Sequence, residues 1–286
     1  MGQHLVHRLS EYYDTCGLGS SSYDLTDDED SSAMFARHEA DVAIHAAALC
    51  RGIGAQRPVD MLAENLKMSM NFLRGARLAE VPKVILISSV CAYPKNAVIP
   101  FKEDDLWNGY PEETNGGYGV AKRVLVELGE AYRRQYGMNV VTLLMANMYG
   151  PGADNSLKDG HVIPALINKF TEGIGGVVVW GSGNATRDFL YVDDACDAIL
   201  QVIATDCDEL INVGTGVETR ISEVVDTIAR LTGFDGEIDY DPMRPDGQPR
   251  RVLDVTRARD VLGFEAKTSL EEGLEKTVTA YERMRL

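Results

Sequence analysis

Ser89, Tyr118 and Lys122 are the side chains whose types and spacing could perform chemistry at a carbonyl group. Tyr118 and Lys122 are four residues apart, so a helix would carry both on one face. We expect the Lys122 ammonium to lower the pKa of Tyr118, because a nearby cation favours the ionised phenol. Such a phenol can exchange a proton with a carbonyl oxygen, and Ser89 could hydrogen-bond the same oxygen. This set predicts hydride transfer from a nicotinamide to a ketone; the alternative is an exposed pair on a solvated helix.

The elements that must position these residues alternate between strand and helix patterns. Short apolar strands separated by helices indicate a parallel sheet covered on both faces, and hence a doubly wound α/β fold. The expected strands are 40–45, 84–88, 140–144, 177–180 and 210–214, and the expected helices are 2–8, 65–79, 118–136 and the end of the chain.

A change of pattern after Pro151 predicts a second, smaller α+β domain. We expect a dinucleotide-binding domain at 1–150 and 187–216. The substrate domain would comprise 151–186 and 217–286.

Composition excludes several classes of protein. The 286 residues carry a formal net charge of −16, which argues against nucleic-acid binding. No apolar run is long enough for a membrane span, and the first residues lack a signal-peptide pattern. The five cysteines form no CxxC pair, which favours a reduced cytoplasmic protein, and no metal site is indicated.

Several motifs resemble the extended short-chain dehydrogenase/reductase superfamily and, within it, the GDP-L-fucose synthases. These motifs are at 52–55 (GIGA), 91–95 (CAYPK), 111–115 (PEETN), 161–166 (HVIPAL), 179–183 (VWGSG), 211–216 (INVGTG) and 245–250 (PDGQPR). The resemblance implies a Rossmann-type sheet, NADPH as cofactor with NADH possible, and a GDP-sugar substrate. It also implies a homodimer formed through the helices 65–79 and 118–136.

The resemblance implies epimerisation at C3 and C5 of GDP-4-keto-6-deoxy-D-mannose, followed by reduction at C4 to GDP-L-fucose. It assigns Cys91 as the base and His161 as the acid, and a thiolate and an imidazole can both titrate near neutral pH. The alternatives are a small buried hydrophobe at Cys91 and a helix-start residue at His161. His45 is expected to orient the strand end at 46–48 and is left out of the catalytic set.

The resemblance also implies binding residues. Those expected at the cofactor are Gly2, Asp24, Leu25, Ala46, Ala47, Ala48 and Ser88, together with Tyr118, Lys122 and His161. Asp24 has the alternative role of capping a turn. Those expected at the substrate are Asn147, Lys169, Trp180, Arg187, Arg250 and Arg251, and the alternative for the basic residues is surface ion pairing.

The dinucleotide fingerprint departs from the family pattern. Gly2 and the helix after it resemble the last glycine of the fingerprint, while the first strand and two earlier glycines are not in the sequence. Two hypotheses are open: a true start upstream, which we favour, or a chain that binds cofactor poorly. No basic residue in 16–21 marks a site for the 2′-phosphate of NADP, so the choice between NADPH and NADH is open.

Two rival functions remain at this point. One is a related nucleotide-sugar epimerase or reductase with another hexose or nucleotide. The other is a non-catalytic sugar-nucleotide-binding protein that has lost its cofactor.

Overall fold

The computed structural model describes residues 1–50, 57–153, 161–173 and 175–284. The motif at 52–55 lies outside these residues. Within them the fold is α/β with a parallel sheet, as predicted. No helix in these ranges is long and apolar enough to cross a membrane.

The four expected helices are among those observed. The helices are α1 (Gly2–Leu9), α2 (Asp28–Arg37), α3 (Pro58–Leu78), α4 (Gly116–Tyr136), α5 (Val162–Glu172), α6 (Val192–Ala204), α7 (Ile221–Thr232), α8 (Thr256–Leu262) and α9 (Leu270–Arg283). Short 3-10 turns lie at Val90–Ala92, Glu103–Asp105 and Glu113–Asn115.

The strands form one larger parallel sheet and several small ones. They are β1 (Val42–His45), β2 (Lys83–Ser89), β3 (Asn139–Met145), β4 (Asn147–Tyr149), β5 (Gly176–Trp180), β6 (Thr186–Arg187), β7 (Phe189–Tyr191), β8 (Leu210–Val213), β9 (Thr219–Arg220), β10 (Glu237–Asp241) and β11 (Arg250–Arg251).

The larger sheet has the order β1-β2-β3-β8, and each neighbouring pair is parallel. Val84, Ile85 and Leu86 of β2 have no solvent exposure, because helices cover both faces of the sheet. The carboxyl ends of β1 and β2 therefore meet at one edge, where Ser89 ends β2. Among the described strands, only β2 pairs with β1. Residues 14–19, which precede the expected cofactor residues Asp24 and Leu25, form no strand.

Two larger hydrophobic cores and a third, smaller one hold the fold together. The first lies around β2, β3, β8 and α6, and it includes Leu253 and Phe264 from late in the chain. The second joins α5, α7 and α9 to Tyr149 and Phe189. Strand β4 follows β3 directly in the chain and pairs in parallel with β7. The second core contains Tyr149 of β4 and Phe189 of β7, so it lies at the carboxyl edge of the larger sheet.

Candidate active site

Tyr118 and Lys122 lie on the buried face of α4, next to the carboxyl end of β2. The Tyr118 hydroxyl forms a hydrogen bond with Ser89. The Ser89 hydroxyl oxygen accepts a hydrogen bond of 3.2 Å from the backbone N–H of Cys91. Lys122 Nζ donates to the carbonyl oxygen of Ile87 at 2.8 Å. The sheet edge and one helix thus hold these groups in one cleft.

The expected effect of Lys122 on Tyr118 is wrong. Burial raises the pKa of Tyr118 well above its usual value, and the nearby thiols of Cys50 and Cys91 add to the rise. The Lys122 nitrogen lies 5.8 Å from the centroid of the phenol ring, and its hydrogen bond goes to the backbone instead. Burial also lowers the pKa of Lys122 to about 8. Tyr118 is therefore a protonated phenol at neutral pH, which is the form that a proton donor needs.

Cys91 faces a guanidinium. The Sγ atom of Cys91 lies 3.4 Å from a terminal nitrogen of Arg251, a buried side chain. Arg251 Nε donates to the side-chain oxygen of Gln248 at 3.0 Å, which fixes the guanidinium plane. Gln248 is in turn anchored by its amide N–H groups to the carbonyl oxygens of Pro94 and Lys95. A fixed cation at this distance attracts the negative sulfur that forms when the thiol loses its proton.

His161 joins the cluster through a residue that sequence reasoning missed. Its Nε2 atom lies 3.5 Å from Sγ of Cys50, and the Cys50 thiol also hydrogen-bonds the Tyr118 hydroxyl. Desolvation raises the pKa of Cys50. Its position in the sequence could have indicated a role at the site, because Cys50 closely follows the carboxyl end of β1. Functional groups of α/β folds lie at this edge of the sheet.

A buried pair of guanidiniums lies beside this cluster. Arg187 in β6 and Arg251 in β11 are register partners, 8% and 9% exposed. Burial and the charge of Arg251 lower the pKa of Arg187 to about 10. Arg187 donates to the backbone oxygens of Thr186, Gln248 and Asp246. In the described part of the chain neither guanidinium has an ion pair with a carboxylate, so the pair suits an anionic ligand.

Arg250 is not brought into the cleft. Successive residues of a strand point to opposite faces, so Arg250 is exposed where Arg251 is buried. Arg250 forms a bidentate pair with Glu218, with N···O distances of 2.6 Å. This matches the alternative of a surface ion pair.

Trp180 and Lys169 form a separate exposed platform with Arg244, a residue not expected from the sequence. The Lys169 nitrogen lies 5.2 Å and the Arg244 guanidinium 4.8 Å from the centroid of the Trp180 ring. Lys169 also donates to the carbonyl oxygen of Val178. A half-exposed indole beside two cations offers both a stacking face and positive charge.

The remaining expected positions surround the cleft or lie farther along the chain. Asn147 donates from its side chain to the carbonyl oxygen of Asp188 at 3.0 Å. Ser88 donates to the carbonyl oxygen of Lys122 at 2.9 Å, so its hydroxyl holds α4 to β2. His45 is buried and stacked on Phe72, and burial lowers its pKa to about 3, which keeps it neutral.

The positions expected at the cofactor are mostly backbone or small side chains. Gly2 begins α1, and residues 46–48 follow β1 without regular structure. Asp24 accepts hydrogen bonds from the N–H and hydroxyl of Thr26 at 2.8 Å, which is the turn-capping role kept as an alternative. The carbonyl oxygen of Leu25 accepts a hydrogen bond from Asn71.

The donor set fits a nicotinamide nucleotide. The Lys122 ammonium has three N–H donors and spends one on Ile87, which leaves two for ribose hydroxyls. Tyr118 and Ser89 provide hydroxyls beside it, and the small side chains after β1 leave room. Tyr118 and Lys122 would therefore hold the nicotinamide end of the cofactor.

Comparison with known proteins supports the motif resemblance. The model of the NAD dependent epimerase/dehydratase family matches residues 1–214. The GDP-L-fucose synthase of Sinorhizobium fredii is 38% identical over 90% of this chain and 84% of its own length. The GDP-L-fucose synthase of Escherichia coli is 38% identical over 85% of this chain and 81% of its own length.

Two further matches are to a protein named for another GDP-sugar and to a crystal structure with bound NADP. The GDP-L-colitose synthase of Yersinia pseudotuberculosis is 33% identical over 96% of this chain and 91% of its own length. The crystal structure of a GDP-L-fucose synthetase from Naegleria fowleri bound to NADP superposes with a TM-score of 0.91 at 25% identity. It covers 99% of this chain and 91% of that chain. The similarity to GDP-L-fucose synthases predicted from the motifs is thus confirmed.

Proposed function

The chain belongs to the NAD dependent epimerase/dehydratase family, and from that premise we propose that it converts GDP-4-keto-6-deoxy-D-mannose to GDP-L-fucose with NADPH. The coarser activity, a nucleotide-sugar epimerase/reductase, follows from the family and the GDP-L-fucose synthase relatives. The observation that carries the finer proposal is the cluster around one phenol. The Tyr118 hydroxyl hydrogen-bonds Ser89 and Cys50, the Cys91 thiol acts on the same phenol, and Cys50 Sγ lies 3.5 Å from Nε2 of His161.

Epimerisation at C3 and C5 needs a base and an acid on opposite faces of a sugar ring. In this proposal Cys91 removes the proton beside the ketone, and the Arg251 guanidinium at 3.4 Å offsets the charge on the sulfur. His161 returns a proton from the other face. The Tyr118 hydroxyl hydrogen-bonds the ketone oxygen as the enolate charge develops.

Reduction at C4 uses the same phenol as an acid. When bound, NADPH supplies the hydride to C4. Tyr118 then donates its proton to the alkoxide oxygen, while Ser89 holds that oxygen in place. The Lys122 ammonium binds the ribose and attracts the phenolate that is left after the proton transfer.

The diphosphate of the substrate has two proposed contacts. Arg187 and Arg251 are buried cations without carboxylate partners in the described residues, and a diphosphate would neutralise them. The Trp180, Lys169 and Arg244 platform offers a stacking face for the guanine base. Arg250 is left out of this proposal because it is paired with Glu218.

The test follows the two reactions separately in the purified protein. Incorporation of deuterium from D₂O at C3 and C5, measured by mass spectrometry, reports epimerisation, and NADPH absorbance reports reduction. Cys91→Ser is expected to abolish exchange at both carbons and to keep reduction at C4. Equal loss of both reactions would refute the role of Cys91 as the base. Failure to bind NADPH in a fluorescence titration would instead favour a non-catalytic sugar-nucleotide-binding protein.

A related GDP-sugar is the second candidate, because the GDP-L-colitose synthase of Yersinia pseudotuberculosis is 33% identical to this chain. The same cleft could process a GDP-4-ketohexose that differs at C3. Competition between GDP-4-keto-6-deoxy-D-mannose and its 3-deoxy analogue, measured as the ratio of kcat/KM values, decides between them. A higher kcat/KM for the analogue would replace the first proposal with the second.

A further inference from the structure

We propose that Cys50 is a positioning residue of this active site, whose thiol links the Tyr118 hydroxyl to Nε2 of His161 and thereby fixes the orientation and tautomer of the imidazole. The catalytic consequence rests on the proposed function, in which His161 is the acid of epimerisation. The structural part, the fixed tautomer, depends only on residues of this chain.

The geometry of the thiol carries the proposal. Its Sγ atom lies 3.5 Å from His161 Nε2, within hydrogen-bonding distance for sulfur, and it also bonds the Tyr118 hydroxyl. Tyr118 itself bonds Ser89. These contacts connect four side chains from the end of β2 to the start of α5, where His161 is the N-cap residue, and the Cys50–His161 distance is the measured link on which the proposal rests.

The donors and acceptors on this path point in one direction. In the substrate-free chain the phenol donates to the sulfur of Cys50, so the sulfur accepts and its S–H remains to be donated. Donation of S–H to Nε2 requires an unprotonated Nε2, which places the proton of the neutral ring on Nδ1. When the ring becomes charged, Nε2–H can instead donate to the sulfur, so the link holds the ring in both protonation states.

The backbone beside Cys50 is also fixed. Asn65, a buried residue of α3, accepts a hydrogen bond from the N–H of Leu49 at 3.0 Å and donates to the carbonyl oxygen of Leu49 at 2.9 Å. Both polar groups of the residue before Cys50 are therefore satisfied by one side chain. Such a clamp positions the thiol more firmly than a free loop would.

A substrate-free experiment tests the tautomer directly. Long-range ¹H–¹⁵N NMR correlations of His161 are expected to show the Nδ1–H tautomer of the neutral ring. Cys50→Ala is expected to give a mixture of tautomers, and Cys50→Ser, which keeps a donor and an acceptor, an intermediate result. The matched control is Cys16→Ala, which removes an exposed thiol 3.8 Å from Nδ1 of His38 and is expected to leave His161 unchanged. An unchanged His161 tautomer in Cys50→Ala would overturn the proposal.

The catalytic consequence is measured as deuterium exchange at C3 and C5. Cys50→Ala is expected to slow exchange by about 10- to 100-fold, because a misplacement of about 1 Å costs on the order of 10²-fold in rate. The KM for the GDP-sugar should stay the same, since Arg187 and Arg251 are untouched. Cys50→Ser is expected to recover part of the loss, and equal rates in the Ser and Ala variants would contradict a hydrogen-bonded link. Absence of exchange in the unmodified chain would refute the proposed function and leave the NMR result to judge the positioning role.

Discussion

Neighbouring arginines on β11 provide a matched pair of substitutions. Arg251 lies 3.4 Å from Cys91 Sγ, whereas Arg250 points to the other face and pairs with Glu218. We predict that Arg251→Met slows deuterium exchange at C3 and C5, and that Arg250→Met leaves its rate unchanged. Both variants lose one positive charge from the same strand, so the long-range electrostatic change is similar. The difference between them isolates the contact with Cys91.

The magnitude follows from Coulomb's law at this distance. A cation 3.4 Å from the sulfur stabilises the thiolate by about 1 kcal/mol at the dielectric constant of water and by about 5 kcal/mol at an effective value of about 20. Loss of an attraction of that size changes a rate that depends fully on it by roughly eightfold to roughly 4000-fold. The sulfur without this attraction is also the stronger base, and a Brønsted coefficient of about 0.5 recovers about half of the logarithmic loss. We therefore expect exchange to slow by about threefold to about 60-fold.

The assay measures deuterium at each carbon by mass spectrometry at saturating GDP-sugar, with thermal melting to verify that each variant folds. Saturation removes the separate effect of Arg251 on diphosphate binding, which appears in KM. Arg251→Lys keeps the charge and loses the planar contact, so an intermediate rate is expected. Less than twofold slowing in Arg251→Met, or equal slowing in Arg250→Met, would refute the proposed action of Arg251 on Cys91.

Two further predictions concern the phenol and the ammonium. Tyr118→Phe is expected to reduce NADPH oxidation by about 10²- to 10⁴-fold, the usual contribution of a general acid, and a reduction below about tenfold would argue for another proton donor. For Lys122, the folded-state pKa of about 8 lies below the usual 10.5, so the folded protein is destabilised below pH 8 and gains stability as the pH rises toward 10.5. Lys122→Met removes this dependence, so the free energy of unfolding of the variant relative to the parent should fall between pH 7 and pH 10.5 by up to about 3 kcal/mol in urea titrations. If the difference in unfolding free energy between Lys122→Met and the parent did not change with pH, Lys122 would not carry a buried charge in the folded protein.

The sequence alone predicted the strands and helices that have a simple hydrophobic pattern. The strand expected at 84–88 is β2, and the helix expected at 118–136 is α4, because continuous apolar runs and helical spacing are local signals. The helix expected at 65–79 begins earlier, at Pro58, since proline is favoured in the first turn of a helix.

The site was less accessible because its decisive contacts join distant parts of the chain. The residue types of Tyr118, Ser89 and Cys91 indicated the chemistry, but burial reversed the expected direction of the Tyr118 pKa. Burial depends on the packing of β2 against α4, which no spacing of four residues reveals. Cys50 was missed for the same reason, since its partner His161 is 111 residues away.

Arg250 and Arg251 illustrate a different limit. In the sequence the two arginines are adjacent and cannot be distinguished. Only the pairing of β11 with β6 decides which of the two side chains is buried. The alternation of side chains along a strand would have separated them once the strand was recognised, but two residues are too few for a periodic pattern.

The distribution of charge explains how so acidic a chain can bind anionic ligands. A net charge of −16 repels nucleotides at long range, but that repulsion is screened within about 8–10 Å at physiological salt. Inside the cleft, Lys122, Arg187 and Arg251 are buried, so their fields are screened far less by solvent. Burial lowers the pKa of Lys122 and of Arg187, which shows that the folded chain holds these charges at a cost. An anionic ligand relieves that cost, so the same burial that weakens the fold strengthens the binding of a phosphorylated ligand at this site.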